Sequence, residues 1–242
     1  MKPIITWSIV IHNQGNLLKK LLDCFLKIDF KNYEFVITVN IQENLNFIKK
    51  YKNLDIEVIK NLKPKGFSEN HNFAFTRSRG TFFAVINPDI TFNNISFKQL
   101  TSVLEKDIKI GVCAPRILNP NGSTEDTSRR FPKIYDFIVR FYRKKSYKTY
   151  NKIDFVDWVA GMFMLFRKST YRKVNGFDTR FFLYMEDVDI CRKINFNNFK
   201  VAYIPYVYVT HDARRYSRKS LYYFLIHTSS ILKYYYKYLF KK

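Results

Sequence analysis

Short apolar runs alternate with turns and helical stretches throughout residues 4–86. Residues 4–11 and 81–86 are almost continuously apolar, which is typical of strands buried on both faces. The full predicted order is a strand at 4–11, a turn at 12–16, a helix from 17, a strand at 33–40, a short helix at 45–51, a strand at 56–59, a helix at 66–78 and a strand at 81–86. This alternation predicts an α/β fold with a mostly parallel central sheet flanked by helices. Ligands of such folds bind beyond the carboxyl ends of the strands.

The remaining chain adds further elements of both kinds. The pattern predicts helices at 97–105 and 169–174 and strands at 110–114, 158–166 and 201–209, with His211 directly after the last strand. Beyond it, the composition changes to basic and aromatic residues. We therefore expect one domain over residues 1–211 and a helical basic-aromatic extension over residues 212–242.

The formal charge of +22 favours an anionic partner, which is nucleic acid, an anionic membrane surface or a phosphate-bearing substrate. Part of this charge reflects general composition. Lys, Asn, Ile, Phe and Tyr are abundant while Gly occurs 7 times, a pattern that AT-rich coding produces. The placement of the charges is therefore more informative than their sum.

Two segments concentrate the positive charge. Residues 129–152 contain nine Lys or Arg against one acid, and residues 212–242 contain eight Lys or Arg among aromatic and aliphatic residues. This composition suits an anionic membrane surface. In the second segment a helical stripe is formed by Leu221, Phe224, Leu225, Thr228 and Leu232. A helix packed on the main domain and a dimer contact are the alternative interpretations, and a homodimer stays open.

The cysteines and the N-terminus bear on the compartment. Cys24, Cys113 and Cys191 are widely spaced without a CxxC pair, which indicates buried thiols in a reducing environment. The N-terminus meets polar residues too early for a signal peptide, and no apolar run approaches the roughly 18 to 20 residues of a membrane span. We expect a cytoplasmic protein at the inner face of the cell membrane.

Acidic residues stand out at two places. Asp89 follows the strand at 81–86, where a carboxylate at the rim of the crevice suits a hard divalent cation and a diphosphate, although Asn87-Pro88-Asp89 is also an ordinary turn sequence. A helix that begins near Glu186 places Asp187 at the head of an inward apolar stripe, facing a cleft. Asp189 then pairs with Lys193 in ordinary helix support. First-turn acids that favour the helix dipole are the alternative interpretation of Glu186 and Asp187.

Several motifs in order resemble those of family 2 glycosyltransferases of the GT-A (Rossmann-like) fold. The similarity is to the bacterial rhamnosyltransferase-like branch that builds surface polysaccharides such as O-antigen and capsule, and it extends from the first strand to His211. The matching motifs are Ser8-Ile9-Val10-Ile11 with Asn13, Gly66-Phe67-Ser68 with Asn70 and Asn72, Asn87-Pro88-Asp89, Trp158-Val159-Ala160-Gly161, Gly176-Phe177-Asp178, the run from Phe181 to Asp189, and His211.

The resemblance implies an inverting transfer from a nucleotide-diphospho-sugar to a hydroxyl of a glycan or lipid-linked acceptor. Asp187 matches the general base, and the neighbouring Glu186 charge is expected to raise its pKa. Asp89 matches the last carboxylate of the metal motif, with His211 as a further ligand, so the cofactor is Mn²⁺ or Mg²⁺. Asn87 stands where the family has an acid, which predicts a weaker metal site.

The other site residues are implied in the same way. Asn40 stands where the family usually has an Asp that binds the base, and its amide can still donate and accept hydrogen bonds. The expected nucleotide-sugar contacts are Asn13, Asn40, Gly66, Asn70, Asn72 and Asn87. The expected acceptor side is formed by Trp158, Gly161 and Glu186.

Rival functions remain. A nucleotidyltransferase of the same fold usually has a basic, Gly-rich loop after the first strand, which His12-Asn13-Gln14-Gly15-Asn16 lacks. The net charge and the aromatic content leave a nucleic-acid-binding protein open, although acids at Asp187 and Asp189 would repel phosphates. The lost acidic positions leave an inactive relative open. The donor sugar, the acceptor and the linkage are not determined.

Overall fold

The computed structural model describes residues 3–29, 32–93, 95–132, 152–212 and 221–239. Strands and helices alternate along most of this length. The strands are β1 (Ile5–Ile11), β2 (Tyr33–Val39), β3 (Asp55–Lys60), β4 (Phe82–Ile86), β5 (Ile90–Thr91), β6 (Ile110–Leu118), β7 (Ser128–Arg129), β8 (Asp154–Val156), β9 (Trp158–Val159), β10 (Phe163–Arg167) and β11 (Lys200–His211). The helices are α1 (Gly15–Leu26), α2 (Phe67–Arg77), α3 (Phe97–Lys106), α4 (Lys168–Lys173), α5 (Glu186–Phe196) and α6 (Leu221–Tyr238), with a short 3₁₀ helix at Asn46–Lys50.

The described strands form one nine-stranded sheet and a small two-stranded sheet. The order of the large sheet is β3-β2-β1-β4-β10-β6-β11-β5, and β8 pairs with β11. Neighbours β3, β2, β1 and β4 are parallel, as are β6 and β11, whereas β10 runs antiparallel between β4 and β6. The predicted mostly parallel central sheet with flanking helices is therefore confirmed.

Both faces of the sheet are covered by helices. One face buries Trp7 of β1 against Phe25 of α1 and Phe97 of α3, whose rings lie 5.0 and 4.6 Å from the Trp7 ring. Leucines at helical spacing in α1 face the same layer, which explains why this segment folds as a helix here. The other face packs α2, α4 and α5 around Phe166 and Tyr171. Coverage of both faces explains why β1 and β4 consist of continuous apolar runs.

The predicted strand over 158–166 is wrong in one respect, because the structure divides it into β9 and β10. The interruption falls at Ala160-Gly161-Met162. There the Ala160 N–H donates to the Thr127 carbonyl oxygen (2.8 Å), and the Gly161 N–H donates to a side chain instead of a strand. The break places Gly161 at the end of the sheet where the carboxyl end of β4 lies.

The C-terminal helix α6 packs against α5 and the segment before it. Tyr234 and Tyr238 are buried with Phe181, Met185 and Val188. The predicted stripe of Leu221, Phe224, Leu225, Thr228 and Leu232 lies on the outward side, and its leucines and phenylalanine are 58–73% exposed. Within the described residues, no helix is long and apolar enough to cross a bilayer. Most of the basic segment 129–152, and Arg214, Arg215 and Arg218, lie outside the described residues.

Candidate functional site

A cleft of about 300 Å³ opens at the carboxyl ends of β1 and β2. Asn13, an expected nucleotide contact, lines it in the left-handed backbone conformation with φ 59°. The Glu43 carboxylate accepts the N–H groups of Gln14 (3.2 Å) and Gly15 (2.8 Å) and so caps the start of α1. The cleft is lined by Asn13, Gln14, Gly15, Asn16, Leu17, Glu43, Asn44 and Phe47.

The Asn40 side chain lies beside this cleft but is fully engaged with the protein. Its amide oxygen accepts the Lys65 N–H (2.8 Å) and the Asn61 amide (2.8 Å). Its amide nitrogen contacts the Lys65 carbonyl oxygen (3.0 Å) and His12 (3.2 Å). Asn70 joins the same network through Asn61 and Lys65. These two asparagines order the loop before α2, and their contact with the nucleotide-sugar stays a prediction.

Asn72 and Gly66 connect α2 to the segment that leads into α5. The Asn72 amide oxygen accepts the Tyr171 hydroxyl (2.7 Å) and the Phe177 N–H (2.9 Å), while its nitrogen donates to the Phe177 carbonyl oxygen (2.8 Å). A Cβ on Gly66 would lie 2.8 Å from the carbonyl oxygen of Phe182. In the structure the Gly66 backbone therefore lies close to the Phe182 backbone, and this contact requires a glycine. From the sequence, Gly66 is expected to lie close to the nucleotide.

Asp89 and His211 are brought together by strand pairing. His211, the last residue of β11, pairs with Ile90 of β5, and the Asp212 N–H donates to the Asp89 carbonyl oxygen (3.0 Å). His211 Nε2 then lies 3.3 Å from Asp89 Oδ1, and its Nδ1 lies 2.9 Å from Glu125 Oε2. Burial lowers the pKa of His211, but the carboxylates of Asp89 and Glu125 outweigh this and raise it to about 9.

Asp187 lies at the same end of the sheet. The second residue of α5, it accepts the Gly161 N–H at Oδ2 (3.0 Å) and the Val188 N–H at Oδ1 (2.8 Å). Met162 directly follows Gly161 in the chain, and its carbonyl oxygen accepts the Asn87 N–H (2.9 Å). Asp187 is thus connected through Gly161 and Met162 to the turn that carries Asp89. The two carboxylates that the sequence proposed as base and metal ligand do not lie on opposite sides of the molecule.

The two acids that begin α5 differ in environment. Glu186 is 5% exposed, and its Oε2 has no hydrogen-bond partner in the described part of the chain. Burial and the nearby Asp187 charge raise the pKa of Glu186 well above its ordinary value. Burial also raises the pKa of Asp187, although its backbone hydrogen bonds oppose this. The pKa of Asp187 is raised as expected, but burial rather than the Glu186 charge is the main cause.

Two charged residues near the site were missed by the sequence reasoning. Arg129 ion-pairs with Asp126 (2.5 Å), lies over the Trp158 ring, and lowers the pKa of Asp187 by its charge. Glu125 contacts His211 as described above. Trp158 is half-buried and donates its indole N–H to the Arg130 carbonyl oxygen (2.9 Å). Nothing in a single sequence distinguishes Glu125 or Arg129 from other charged residues in a loop.

The predicted pair of Asp189 with Lys193 is present, but the closest contacts of Asp189 are to α6. Asp189 is fully buried and contacts Lys237 (2.5 Å) and the Tyr238 hydroxyl (2.8 Å) of α6, whereas Lys193 is 4.0 Å away. Lys237 also binds Asp178 (2.7 Å). Together with hydrogen bonds from Arg192 to Tyr234 and from Ser230 to the Leu183 carbonyl, these contacts hold α6 against α5.

The fold resembles solved glycosyltransferases. The structure of GalNAc-T7 with UDP, GalNAc and Mn²⁺ matches with a TM-score of 0.69 and 16% identity, over 88% of this chain and 44% of that one. This similarity shows that the chain has the GT-A glycosyltransferase fold.

The sequence comparison defines the family. The family model of glycosyl transferase family 2 matches residues 6–174, and the chain belongs to this family. Rhamnosyltransferase WbbL of Escherichia coli K12 is 28% identical over 93% of this chain and 90% of its own length. N-acetylglucosaminyl-diphospho-decaprenol L-rhamnosyltransferase of Mycobacterium tuberculosis is 27% identical over 52% of this chain and 45% of its own length.

The protein is therefore an inverting glycosyltransferase with rhamnosyltransferases among its relatives. The family, the fold and the enzyme class predicted from the sequence are confirmed. The nucleic-acid-binding alternative gains no support from these comparisons.

Proposed function

We propose that this enzyme transfers a hexose or deoxyhexose, with rhamnose as the first candidate, from a nucleotide-diphospho-sugar to a hydroxyl of a glycan or lipid-linked acceptor in bacterial surface polysaccharide synthesis. The similarity to WbbL along nearly the whole chain supports the sugar. The name of the mycobacterial relative supports a lipid-linked acceptor. The observation that carries the proposal is the joining of Asp187, through Gly161 and Met162, to the turn that carries Asp89.

Asp187 acts as the general base in this proposal. It takes the proton of the acceptor hydroxyl as that oxygen attacks the anomeric carbon opposite the leaving diphosphate. The N–H groups of Gly161 and Val188 fix the orientation of its carboxylate. Its raised pKa makes it a stronger base than an exposed aspartate. Gly161, whose N–H contacts this carboxylate, forms the acceptor side together with Trp158 and Glu186.

Asp89 and His211 hold the divalent cation. Asp89 Oδ1 is buried, has no hydrogen-bond partner among the described residues, and lies 3.3 Å from His211 Nε2. A carboxylate oxygen and an imidazole nitrogen this close together could both bind one small divalent cation, so the pair fits such an ion. Mn²⁺ is favoured over Mg²⁺ because an imidazole is one ligand. The bound cation would neutralise charge on the leaving diphosphate. The described residues contain no cluster of three metal-binding side chains, so two protein ligands would share the ion with the diphosphate.

The nucleotide occupies the cleft at the ends of β1 and β2 in this proposal. Asn13 lines this cleft. Asn87 stands two residues before Asp89, directly after β4. The asparagines at 40, 70 and 72 act indirectly, because their amides order the loop and the turn that border the donor site.

The outward face of α6 contacts the membrane. Leu221, Phe224, Leu225 and Leu232 are exposed on a helix that is already fixed to the catalytic domain through its other side. Exposed apolar side chains of this size, on a chain with a charge of +22, suit an anionic lipid surface. A membrane-bound enzyme would meet a lipid-linked acceptor at that surface.

A thermal-shift panel of nucleotide sugars, with and without Mn²⁺, tests the donor, because a ligand of the native protein raises its melting temperature. Stabilisation by one nucleotide-sugar that increases with Mn²⁺ is expected. Asp187→Asn should abolish turnover and keep donor binding, whereas Asp89→Ala should weaken both. Full turnover in Asp187→Asn would remove this residue from the mechanism. Absence of stabilisation by every nucleotide sugar would favour an inactive relative.

Flotation with phosphatidylglycerol vesicles tests the membrane contact. Wild type should float with the vesicles, and the double variant Leu225→Glu/Leu232→Glu should stay in solution. Lys233→Glu on the same helix provides a control for charge alone. Equal flotation of the wild type and the double variant would exclude this face as the lipid contact. A change in oligomeric state of the double variant would favour a second copy of the chain instead.

A further inference from the structure

His211 lies between two carboxylates that contact different nitrogens of its ring. Asp89 Oδ1 lies 3.3 Å from Nε2, and Glu125 Oε2 lies 2.9 Å from Nδ1. The histidine is only 7% exposed, so water does not dominate either contact. The two contacts differ in quality, because the Glu125 contact has hydrogen-bond geometry, whereas Asp89 Oδ1 is without a hydrogen-bond partner among the described residues.

We propose that Glu125 is a positioning residue for the metal site. It accepts the Nδ1–H of His211 and so leaves Nε2, which lies beside Asp89, as the nitrogen that would exchange its proton for the cation. A neutral imidazole has one N–H and one lone pair, so the nitrogen that faces a firm acceptor keeps the proton and the other is free to bind a metal ion. This inference rests on the proposed function, in which Asp89 and His211 hold the cation.

Glu125 acts through His211 rather than as a third ligand. The two ring nitrogens point in different directions in the ring plane, and Glu125 and Asp89 lie on different nitrogens. An ion held between Nε2 and Asp89 is therefore out of reach of the Glu125 oxygen that contacts Nδ1. The carboxylate instead makes the imidazole a better ligand and holds the ring in place.

The three residues come from separate segments that backbone hydrogen bonds hold in position. The Glu125 N–H donates to the Ile117 carbonyl oxygen of β6 (2.8 Å), and β6 is parallel to β11, which ends at His211. The Asp89 segment is tied to β11 as described above. The histidine is thus oriented before the cation arrives.

Mn²⁺ binding by the full-length chain tests this role. Free Mn²⁺ is measured by electron paramagnetic resonance during titration with the metal alone. Glu125→Ala should weaken Mn²⁺ affinity by about 10- to 100-fold, the usual effect of losing such a partner. Glu125→Gln keeps an acceptor oxygen for Nδ1–H and should bind close to wild type. Glu69→Gln, which alters an exposed acid on α2, is the matched control for charge.

A second measurement separates positioning from a merely structural role. Nitrogen NMR of the His211 ring, recorded at about pH 10 so that the ring is neutral despite its raised pKa, should show the Nδ1–H tautomer in wild type and Glu125→Gln, and a mixture in Glu125→Ala. Wild-type Mn²⁺ affinity and an unchanged tautomer in Glu125→Ala would overturn the role of Glu125 while leaving the metal site intact. Mn²⁺ affinity that is insensitive to Asp89→Ala and His211→Ala would overturn the proposed metal site and this inference with it.

Discussion

Lys237→Met should destabilise the packing of the C-terminal helix α6 against α5, the helix that carries Asp187. The lysine Nζ lies 2.5 Å from Asp189 and 2.7 Å from Asp178, and its side chain is 11% exposed. Methionine keeps much of the apolar stem and removes only the charge and its donors. The variant therefore tests the ion pair with little change in packing volume.

The magnitude follows from what remains around Asp189. This carboxylate is fully buried, one of its oxygens has no hydrogen-bond partner in the described structure, and it would keep only the Tyr238 hydroxyl and Lys193 at 4.0 Å. Breaking a buried pair typically costs about 3–5 kcal/mol. These two contacts of Asp189 remain in the variant, and Asp178 keeps its ion pair with Arg180. We therefore expect Lys237→Met to lower the free energy of unfolding by about 3 kcal/mol. For a chain of this size, that corresponds to roughly 6–12 °C in Tm.

Urea unfolding of the full-length chain measures this cost. Lys233→Met, an exposed lysine on the same helix, removes the same charge and should change the unfolding free energy by less than about 0.5 kcal/mol. The double variant Lys237→Met/Asp189→Asn should be more stable than Lys237→Met, because no buried charge is left unpaired. Equal costs for Lys237→Met and Lys233→Met would refute the view that the buried pair fixes α6.

Three further predictions concern the site. Glu186→Gln should leave the acid limb of the kcat/KM pH profile in place, because that limb reports the pKa of Asp187, which is raised mainly by burial; activity falls as pH drops through this pKa. A limb displaced to lower pH would contradict this. Asn72→Ala should cost about 1–3 kcal/mol in urea unfolding, because the Phe177 N–H loses its acceptor; an unchanged midpoint would argue against that link. Gly66→Ala should lower both Tm and turnover, because its Cβ would meet the Phe182 backbone; normal values for both would mean that the loop adapts.

The predicted positions of the strands and helices agree closely with the structure. Strands at 4–11 and 81–86 are observed as β1 and β4, and the helix expected near Glu186 begins there. Such patterns are local, since a buried strand or an amphipathic helix reveals its inward side within a dozen residues. The stripe on α6 shows the limit of this reasoning. Its spacing was helical, but its apolar side faces outward because Tyr234 and Tyr238 occupy the inward side.

What the sequence alone determined is the α/β architecture and, through its motifs, the glycosyltransferase family; the same motifs predict Asp89, Asp187 and His211 as the acidic and imidazole groups of the site. Only the tertiary structure decided which groups face one another. Glu125 contacts His211 from 86 positions away, and Lys237 reaches Asp189 across 48. The apolar periodicity of a sequence does not predict such partners. It indicates which side chains point inward, but not which distant residue pairs with a buried charge.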